Sequence, residues 1–413
     1  MKILVQKYGG TSLGSLEKIK AVGEKIRKKN EEGYKILVVL SAMGSATNDL
    51  ISLAQGITEK PSPREMDMLL ATGEQTSISL LTMALIDRGC RAISYTGYQL
   101  GIETTALHQN AKIKKIDQEK ILAAFEDYEV IVVAGFQGIN EQQDYTTLGR
   151  GGSDTSAVAL ACILQARCEI YTDVEGIFTG DPGKLPKARK IENIGYQEMM
   201  EMSSLGAGVI HPRAVELAGK YKIPLYVAST FSDQPGTMIE DKEEKMEEAV
   251  ITGITSSLED VQITIHQLDP TTDHLYNLFS RLGEENINVD MISQTVVKGD
   301  LMNVSFTLPK ADRERGRKLI EQWEGVNPHT KMDIMDINED IAKISVVGLG
   351  MRSHSGVAAK VFQTMAENRI PIKMVTTSEI SISWVVDSRY EKEVIRRIGE
   401  AFSLEEDNGK MDR

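Results

Sequence analysis

Short apolar runs alternate with longer segments of helical periodicity along the first half of the chain. Leu16 to Lys29 repeats apolar residues at helical spacing, and Pro63 to Asp87 predicts one or two helices broken near Gly73. The apolar runs predict six strands, namely Lys2 to Gln6, Ile36 to Leu40, Ala92 to Tyr95, Val130 to Ala134, Cys168 to Tyr171 and Leu225 to Ala228. This alternation predicts a mostly parallel sheet with helices on both faces.

The pattern changes after the charged segment that contains Pro235-Gly236, so we expect a first domain over residues 1–235. Beyond it, the segments that begin at Phe279 and Phe362 align without a gap, each between apolar strands. Each unit has the order βαββαβ, which predicts two ferredoxin-like modules over residues 250–337 and 338–407. The first strand, Val250 to Thr255, belongs either to the first module or to the second, in which case one module is inserted in the other. Their position favours a ligand sensor over an appendage that serves dimerisation only.

Two glycine loops carry the candidate chemistry of the first domain. Gly149-Arg150-Gly151-Gly152-Ser153-Asp154 precedes a helix over Ala157 to Leu164, and Lys7-Tyr8-Gly9-Gly10 follows the first strand. Glycines before a helix let the backbone approach an anion, and the helix N-terminus then attracts it. One loop alone would be an ordinary turn about as often as not. Two loops, each with a charged residue, predict a nucleotide site at the carboxyl ends of parallel strands.

Composition narrows the class of protein. The chain has 413 residues, which predicts two or three domains, and its net charge of −13 argues against a nucleic-acid partner. The apolar run Ile3 to Val5 is too short for a signal sequence or a membrane span. Three cysteines without metal spacing indicate a reducing cytoplasm. We expect His211 to be a structural histidine, and no metal site built by the protein alone.

Two nucleotide fingerprints are absent from the sequence. It has no Gly-x-x-x-x-Gly-Lys-[Ser/Thr], and no Gly-x-Gly-x-x-Gly opens the first helix. A strand-end lysine beside paired glycines suits the β- and γ-phosphates of ATP and the charge of the transferred phosphoryl group. The segment from Tyr171 to Pro182 either frames a nucleoside, or holds carboxylates near a Mg-nucleotide, or is an acidic surface turn.

Several of these motifs together resemble the aspartate kinases over nearly the whole chain. Lys7-Tyr8-Gly9-Gly10-Thr11-Ser12-Leu13 is similar to that family's Lys-Phe-Gly-Gly-Thr-Ser-Val, and Thr72-Gly73-Glu74, Gly149 to Asp154 and Tyr171-Thr172-Asp173 also match. The resemblance implies an α/β/α sandwich of the amino acid kinase type, followed by two ACT domains. It implies the reaction of ATP with L-aspartate to give 4-phospho-L-aspartate, the first step towards lysine, threonine and methionine, with Mg²⁺ carried by the nucleotide.

The resemblance also implies roles for individual residues. Lys7 and Asp154 are the expected catalytic residues, with Asp154 positioning Lys7, a metal ion or the substrate ammonium. The substrate's carboxylate is already ionised at neutral pH, so no base is needed. The residues expected at aspartate are Ser41, Thr47, Glu74, Arg150 and Ser153. Those expected at ATP are Lys7, Gly9, Gly10, Gly151, Gly152, Thr172, Asp173, Phe178, Asp181 and Lys184. The family often has Asp-Pro-Arg where this chain has Asp181-Pro182-Gly183-Lys184.

The ACT modules are expected to bind an amino-acid effector, lysine alone or with threonine, and to pair across a homodimer or a higher oligomer. The expected effector residues are Asp269, Asp290, Gln294, Met351, Ser353, Thr377, Ser378 and Glu379. The first module's loop is two residues shorter than the second's and lacks glycine, and Ser355 stands where proline is usual. Two alternatives remain: another small-molecule kinase such as acetylglutamate kinase, and a catalytically silent amino-acid-binding regulator.

Overall fold

The computed structural model describes residues 1–241, 250–268, 272–297, 301–323, 335–352 and 354–406. The chain divides into two compact units. The first unit comprises Met1–Ile177, Lys190–Ser204 and Gly208–Glu244. The second comprises Phe178–Arg189, Leu205–Ala207 and Lys245–Arg413. The expected effector residues Asp269 and Ser353 lie outside the described residues.

Strands and helices alternate along the first unit as the sequence predicts. Its strands are β1 (Lys2–Tyr8), β2 (Tyr34–Leu40), β3 (Ala92–Tyr95), β4 (Ile102–Thr104), β5 (Ile113–Ile116), β6 (Val130–Ala134), β7 (Gln137–Ile139), β8 (Tyr145–Thr147), β9 (Arg167–Thr172), β10 (Ile177–Phe178), β11 (Lys190–Ile191), β12 (Asn193–Ile194), β13 (Leu225–Ser229) and β14 (Thr237–Ile239). Its helices are α1 (Leu16–Glu31), α2 (Ala46–Ile57), α3 (Pro63–Ile86), α4 (Gly97–Leu100), α5 (Gln118–Asp127), α6 (Gly152–Leu164), α7 (Tyr196–Met202) and α8 (Pro212–Tyr221).

Eight of these strands form the main sheet, in the order β12-β14-β13-β9-β1-β2-β6-β3. All six predicted strands lie next to one another in it and run parallel. β2 and β6 are buried almost throughout, because helices cover both faces of a parallel sheet. The predicted α/β fold is therefore confirmed. A smaller sheet has the order β5-β4-β7-β8.

Two predicted boundaries of the first unit differ from the structure. β14 follows Pro235-Gly236 and pairs antiparallel with β13, so these residues form a turn inside the sheet rather than a linker. A Cβ on Gly236 would lie 2.1 Å from the carbonyl oxygen of Val227, which explains the glycine. The predicted break of α3 near Gly73 is wrong, since one helix of 24 residues spans it. Gly73 lets α3 approach Ala42 closely, because a Cβ there would lie 2.9 Å from the Ala42 Cβ.

The second unit contains two four-stranded antiparallel sheets with helices. Its elements are β15 (Gly253–Ser257), β16 (Asp260–Leu268), α9 (Thr272–Glu284), β17 (Ile292–Val297), β18 (Leu301–Pro309), α10 (Arg313–Glu321), β19 (Met335–Asn338), β20 (Ile341–Val347), α11 (Val357–Glu367), β21 (Met374–Thr377), β22 (Ser381–Asp387) and α12 (Glu391–Ala401). The first module, β16 to β19, has the strand order β17-β18-β16-β19. The second has the order β15-β20-β22-β21.

The strand that the sequence left unassigned lies in the second sheet. β15 pairs antiparallel with β20, from Gly253 opposite Val347 to Ser257 opposite Lys343. The first module, Asp260–Asn338, is thus inserted between β15 and the rest of the second module. Each module has its own core, with Trp323 in the first and Trp384 in the second.

Candidate active site

The ends of β1 and β2 and the start of α6 enclose a cleft of about 330 Å³ in the first unit. Both expected catalytic residues and all five residues expected at aspartate line it, together with three of the four glycines expected at ATP. These are Lys7, Gly10, Ser41, Thr47, Glu74, Arg150, Gly151, Gly152, Ser153 and Asp154. They meet because β1 and β2 are parallel neighbours and their carboxyl ends lie at one edge of the sheet.

Lys7 and Asp154 form an ion pair in this cleft, with 2.7 Å between Lys7 Nζ and Asp154 Oδ1. Both side chains are nearly buried, at 12% and 11% exposure. Asp154 lies in the first turn of α6, where the helix dipole also favours a carboxylate. The contact holds the Lys7 ammonium at the mouth of the glycine loop.

Glu74 is a buried carboxylate on α3, with 3% of its surface exposed. Its Oε1 accepts a hydrogen bond of 3.2 Å from the Ala42 backbone N–H, and its buried Oε2 has no partner among the described residues. Burial raises the pKa of Glu74 to about 8, although backbone hydrogen bonds oppose the shift. An unpartnered carboxylate oxygen beside a cleft is suited to bind a cation, and a substrate ammonium is one.

Arg150 is exposed between two glycines of left-handed conformation, Gly149 with φ 75° and Gly151 with φ 68°. Such backbone is costly for any residue with a side chain, so the glycines let the loop carry Arg150 into the cleft. α6 begins directly after Gly151, and its first N–H groups face the same space. The loop therefore presents a guanidinium and a helix N-terminus, two groups that attract anions, to the cleft.

Six residues expected at the nucleotide do not line this cleft. Gly9 lies beside it, since a Cβ there would be 3.6 Å from Lys7 Nζ, and Thr172 and Asp173 follow at the end of the neighbouring strand β9. Phe178, Asp181 and Lys184 belong to the second unit. There Lys184 Nζ donates to Ser256 Oγ at 2.8 Å and to Glu391 Oε1 at 2.9 Å. Asp181 accepts from the Gly183 N–H and so closes its own turn.

Sequence reasoning missed a hydroxyl network that joins three strand-end loops. Ser12 and Thr230 place their hydroxyl oxygens 2.6 Å apart, and the Thr230 N–H donates to the Thr172 carbonyl at 2.9 Å. Ser12 and Thr230 follow β1 and β13, and Thr172 is the last residue of β9. The sequence does contain a signal for this network, because Ser229-Thr230 comes after a predicted strand in the same way as Thr172-Asp173.

The expected effector residues that the structure describes lie in both modules. Asp290 pairs with the ammonium of Lys343, a residue of β20 that also lies 3.3 Å from Asp260. Gln294 is exposed on β17, and Met351 lies in the helical turn Leu349–Arg352. Thr377 ends β21. Ser378 then closes the turn to β22 through Ser381, and the exposed Glu379 pairs with Arg352 at 2.9 Å.

Comparisons with known proteins agree with this architecture. Residues 2–229 match the amino acid kinase family, and residues 344–402, in the second module, match the ACT domain family. Among solved structures, E. coli aspartokinase III in complex with aspartate and ADP has a TM-score of 0.80 at 23% identity, covering 97% of this chain and 99% of that one. The fold and the cleft define a small-molecule kinase of the amino acid kinase class with a C-terminal ACT region.

Full-length relatives narrow this class. The aspartate kinase of Pseudomonas putida is 45% identical over 409 residues, which cover 98% of each chain. Aspartokinase 2 of Bacillus subtilis is 45% identical over 405 residues, again 98% of each chain. The chain belongs to the aspartate kinase family.

Proposed function

We propose that the chain transfers the γ-phosphoryl group of ATP to the side-chain carboxylate of L-aspartate, giving 4-phospho-L-aspartate. The observation that carries this proposal is the meeting of Lys7, Glu74 and Arg150 in one cleft. A guanidinium can bind the substrate's carboxylate in a bidentate manner, and the free oxygen of Glu74 can accept its ammonium. N-acetylglutamate has no ammonium for Glu74, which argues against an acetylglutamate kinase.

In this mechanism the attacking group is the substrate's own carboxylate, whose ordinary pKa of about 3.9 leaves it ionised at neutral pH. Asp154 therefore acts by holding Lys7 rather than by removing a proton. Lys7 stabilises the charge that spreads over the transferred phosphoryl group, where a fixed charge in a dry site contributes most. Gly9, Gly10, Gly151, Gly152 and the N-terminus of α6 would hold the phosphates.

We place the nucleoside beyond the glycine loops, near Thr172 and Asp173. Mg²⁺ would enter with the phosphates, since no group of three or more His, Cys, Asp or Glu side chains in the described ranges is placed to hold a metal ion. Lys184 is engaged with Glu391, so its role at the nucleotide would require that pair to open.

Regulation through the ACT modules is part of the same proposal. Glu379 is exposed at a strand end and would accept the effector's ammonium after exchanging Arg352. We propose lysine, alone or with threonine, as the effector, a homodimer formed through the modules, and a cytoplasmic location. The helix α3 is long and apolar enough in composition to cross a membrane, but half of its most apolar stretch is buried within the protein.

A coupled ADP-release assay with aspartate, N-acetylglutamate and glutamate tests the function. We expect turnover with aspartate at least a hundred times faster than with the others. Turnover with N-acetylglutamate would overturn the substrate, and aspartate binding without ADP release would indicate a silent regulator. Adding lysine, threonine and their mixture to the same assay tests the effector, and no inhibition at millimolar concentrations would contradict it.

A further inference from the structure

His211 and Arg213 lie at the start of α8 and do not line the cleft, yet both contact the loop that carries Arg150 and Asp154. His211 is the N-cap of α8, and its Nδ1 accepts from the Arg213 N–H at 3.3 Å. Pro212 between them occupies the first position of the helix, where its fixed φ is favourable. The sequence alone indicated only a structural histidine here.

Arg213 joins two loops of the first unit through one guanidinium. Its Nη1 donates to the carbonyl oxygen of Leu148 at 2.7 Å, and its Nη2 donates to that of Ala111 at 3.2 Å. Leu148 is fully buried and stands two residues before Arg150. The planar fork of arginine can hold two acceptors in one geometry, which a lysine ammonium on a flexible stem cannot do as rigidly.

His211 supports the loop on the other side of Arg150. A Cβ on Gly151 would lie 2.2 Å from the Cγ of the His211 ring, so ring and backbone are in close contact. The backbone N–H of His211 also donates to Asp154 Oδ2 at 3.4 Å. Burial lowers the pKa of His211, which favours a neutral imidazole beside Asp154.

A third contact fixes Gly149, the residue before Arg150. A Cβ there would lie 2.8 Å from the carbonyl oxygen of Gln109. The backbone N–H of Gln109 in turn donates to the buried carboxylate of Asp67. The Thr147 hydroxyl donates to the same carboxylate at 2.5 Å. The backbone on both sides of Arg150 is therefore held, while the Arg150 side chain itself is exposed. Its direction depends on the backbone that carries it.

We propose that Arg213 is a positioning residue for aspartate binding: by bridging Leu148 and Ala111 it sets the direction in which Arg150 meets the substrate's carboxylate. A clamp that is oriented before binding loses less conformational freedom when the substrate arrives. The proposal rests on the assignment of Arg150 to the substrate made under the proposed function. It predicts an effect on aspartate that the nucleotide does not share.

The test is a double-mutant cycle with Arg213→Gln, Arg150→Ala and the double variant, with Arg213→Lys beside it. Arg91→Gln is the matched control, because Arg91 is exposed and its guanidinium pairs with Glu129. We expect Arg213→Gln to raise the aspartate KM about ten-fold, with the ATP KM within two-fold and kcat within three-fold. Arg213→Lys should raise the aspartate KM at least five-fold, since the charge remains and the fork is lost. Arg91→Gln should change none of these.

The cycle separates positioning from a merely structural role. In the Arg150→Ala background, Arg213→Gln should raise the aspartate KM less than two-fold further, because the clamp it orients is gone. An equal rise of the aspartate KM in both backgrounds, or full rescue by Arg213→Lys, overturns the positioning role of Arg213 and leaves the proposed function intact. If Arg150→Ala leaves the aspartate KM unchanged, the assignment of Arg150 fails and the inference fails with it. Should Arg213→Gln melt below the assay temperature, Arg213→Lys enters the cycle in its place.

Discussion

At the scale of the residue, the site contains two ionisable groups, Lys7 and Glu74, that the fold has largely removed from water. Lys7 is nearly buried but paired with Asp154, whereas Glu74 is buried and its Oε2 has no partner among the residues that the structure describes. A buried charge is costly unless it is paired, so the two residues differ in what they gain from a ligand. Under the proposed function, the paired Lys7 would act on the phosphate, and Glu74 would gain the substrate ammonium as a partner once it has lost its proton.

Lys7→Ala should lower kcat by about 10²–10³ and leave the aspartate KM within a few-fold, because the charge of Lys7 contributes mainly in the transition state. Lys2→Ala, an exposed position on the same strand, is the control and should leave both constants unchanged. Steady-state rates measure both variants. A Lys7→Ala variant with more than half of the original kcat would refute the role.

The raised pKa of Glu74 predicts that aspartate binding depends on pH. Its pKa of about 8 means that the free enzyme must lose a proton before the substrate ammonium binds. As the pH rises, the aspartate KM should therefore fall about ten-fold per pH unit up to pH 7 and level off above pH 8. In Glu74→Gln the KM should be high and independent of pH. A flat profile for the unmodified chain between pH 6 and 9 would contradict the assignment.

The same carboxyl group affects stability in the opposite sense. Its folded-state pKa is raised above the unfolded value, so stability falls as pH rises from about 4.5 through about 8. Glu74→Gln should abolish this loss, and its melting temperature should exceed that of the unmodified chain at pH 9. Glu65→Gln, an exposed site on α3, should show no such difference.

At the scale of the element, α3 is the helix that brings Glu74 to the loop after β2. Gly73 allows this approach, because the Ala42 Cβ occupies the place of its missing side chain. A glycine inside a helix ordinarily costs about 1 kcal/mol relative to alanine. Its presence in the middle of α3 indicates that the close contact is worth more than helix propensity.

Gly73→Ala and Gly56→Ala form a matched pair on neighbouring helices. A Cβ on Gly56 in α2 would meet no described residue beyond its own helix within 4 Å, so its replacement should stabilise the protein by about 0.5–1 kcal/mol. Gly73→Ala should give no such gain and should raise the aspartate KM about ten-fold, since Ala42 and Glu74 must move apart. Thermal melts and KM values measure both. A stabilised Gly73→Ala variant with unchanged KM would contradict the argument.

At the scale of the whole molecule, Lys343 joins the two modules of the second unit. It is almost fully buried on the central strand β20 and pairs with Asp260 and Asp290 of the inserted module. Burial alone would lower the pKa of Lys343, but the two carboxylates raise it above its ordinary value. The ion cluster therefore links the inserted module to the module that contains it.

Lys343→Met should destabilise the second unit by about 1–3 kcal/mol, less than the ~3–5 of a fully buried pair because Asp290 is partly exposed. The chain's two tryptophans, Trp323 and Trp384, report one module each, so urea unfolding can be followed by their fluorescence. Lys392→Met, an exposed position on α12, is the control. Superimposable unfolding curves for both variants would rule out the role of Lys343.

Local patterns in the sequence determined a large part of the fold. All six predicted strands are present and adjacent, and the glycine loops stand at strand ends, because periodicity and turn chemistry are properties of neighbouring residues. The internal repeat, whose aligned segments begin at Phe279 and Phe362, could be recognised in the sequence for the same reason. The residues expected at the substrate were named from the aspartate kinase resemblance, and they meet in one cleft.

Only the tertiary structure decided which distant groups meet. β15 pairs with a strand about 90 residues further on, and a run of alternating residues carries no information about its partner. Lys184 stands close in sequence to Phe178 and Asp181, which are also expected at ATP, yet its ammonium binds Glu391. In the sequence, His211 and Arg213 resemble an ordinary helix start. Only the structure shows that His211 contacts Gly151 and that Arg213 binds Leu148. Backbone pattern is local in the chain, whereas burial, pKa and ion pairing depend on packing between residues far apart in sequence.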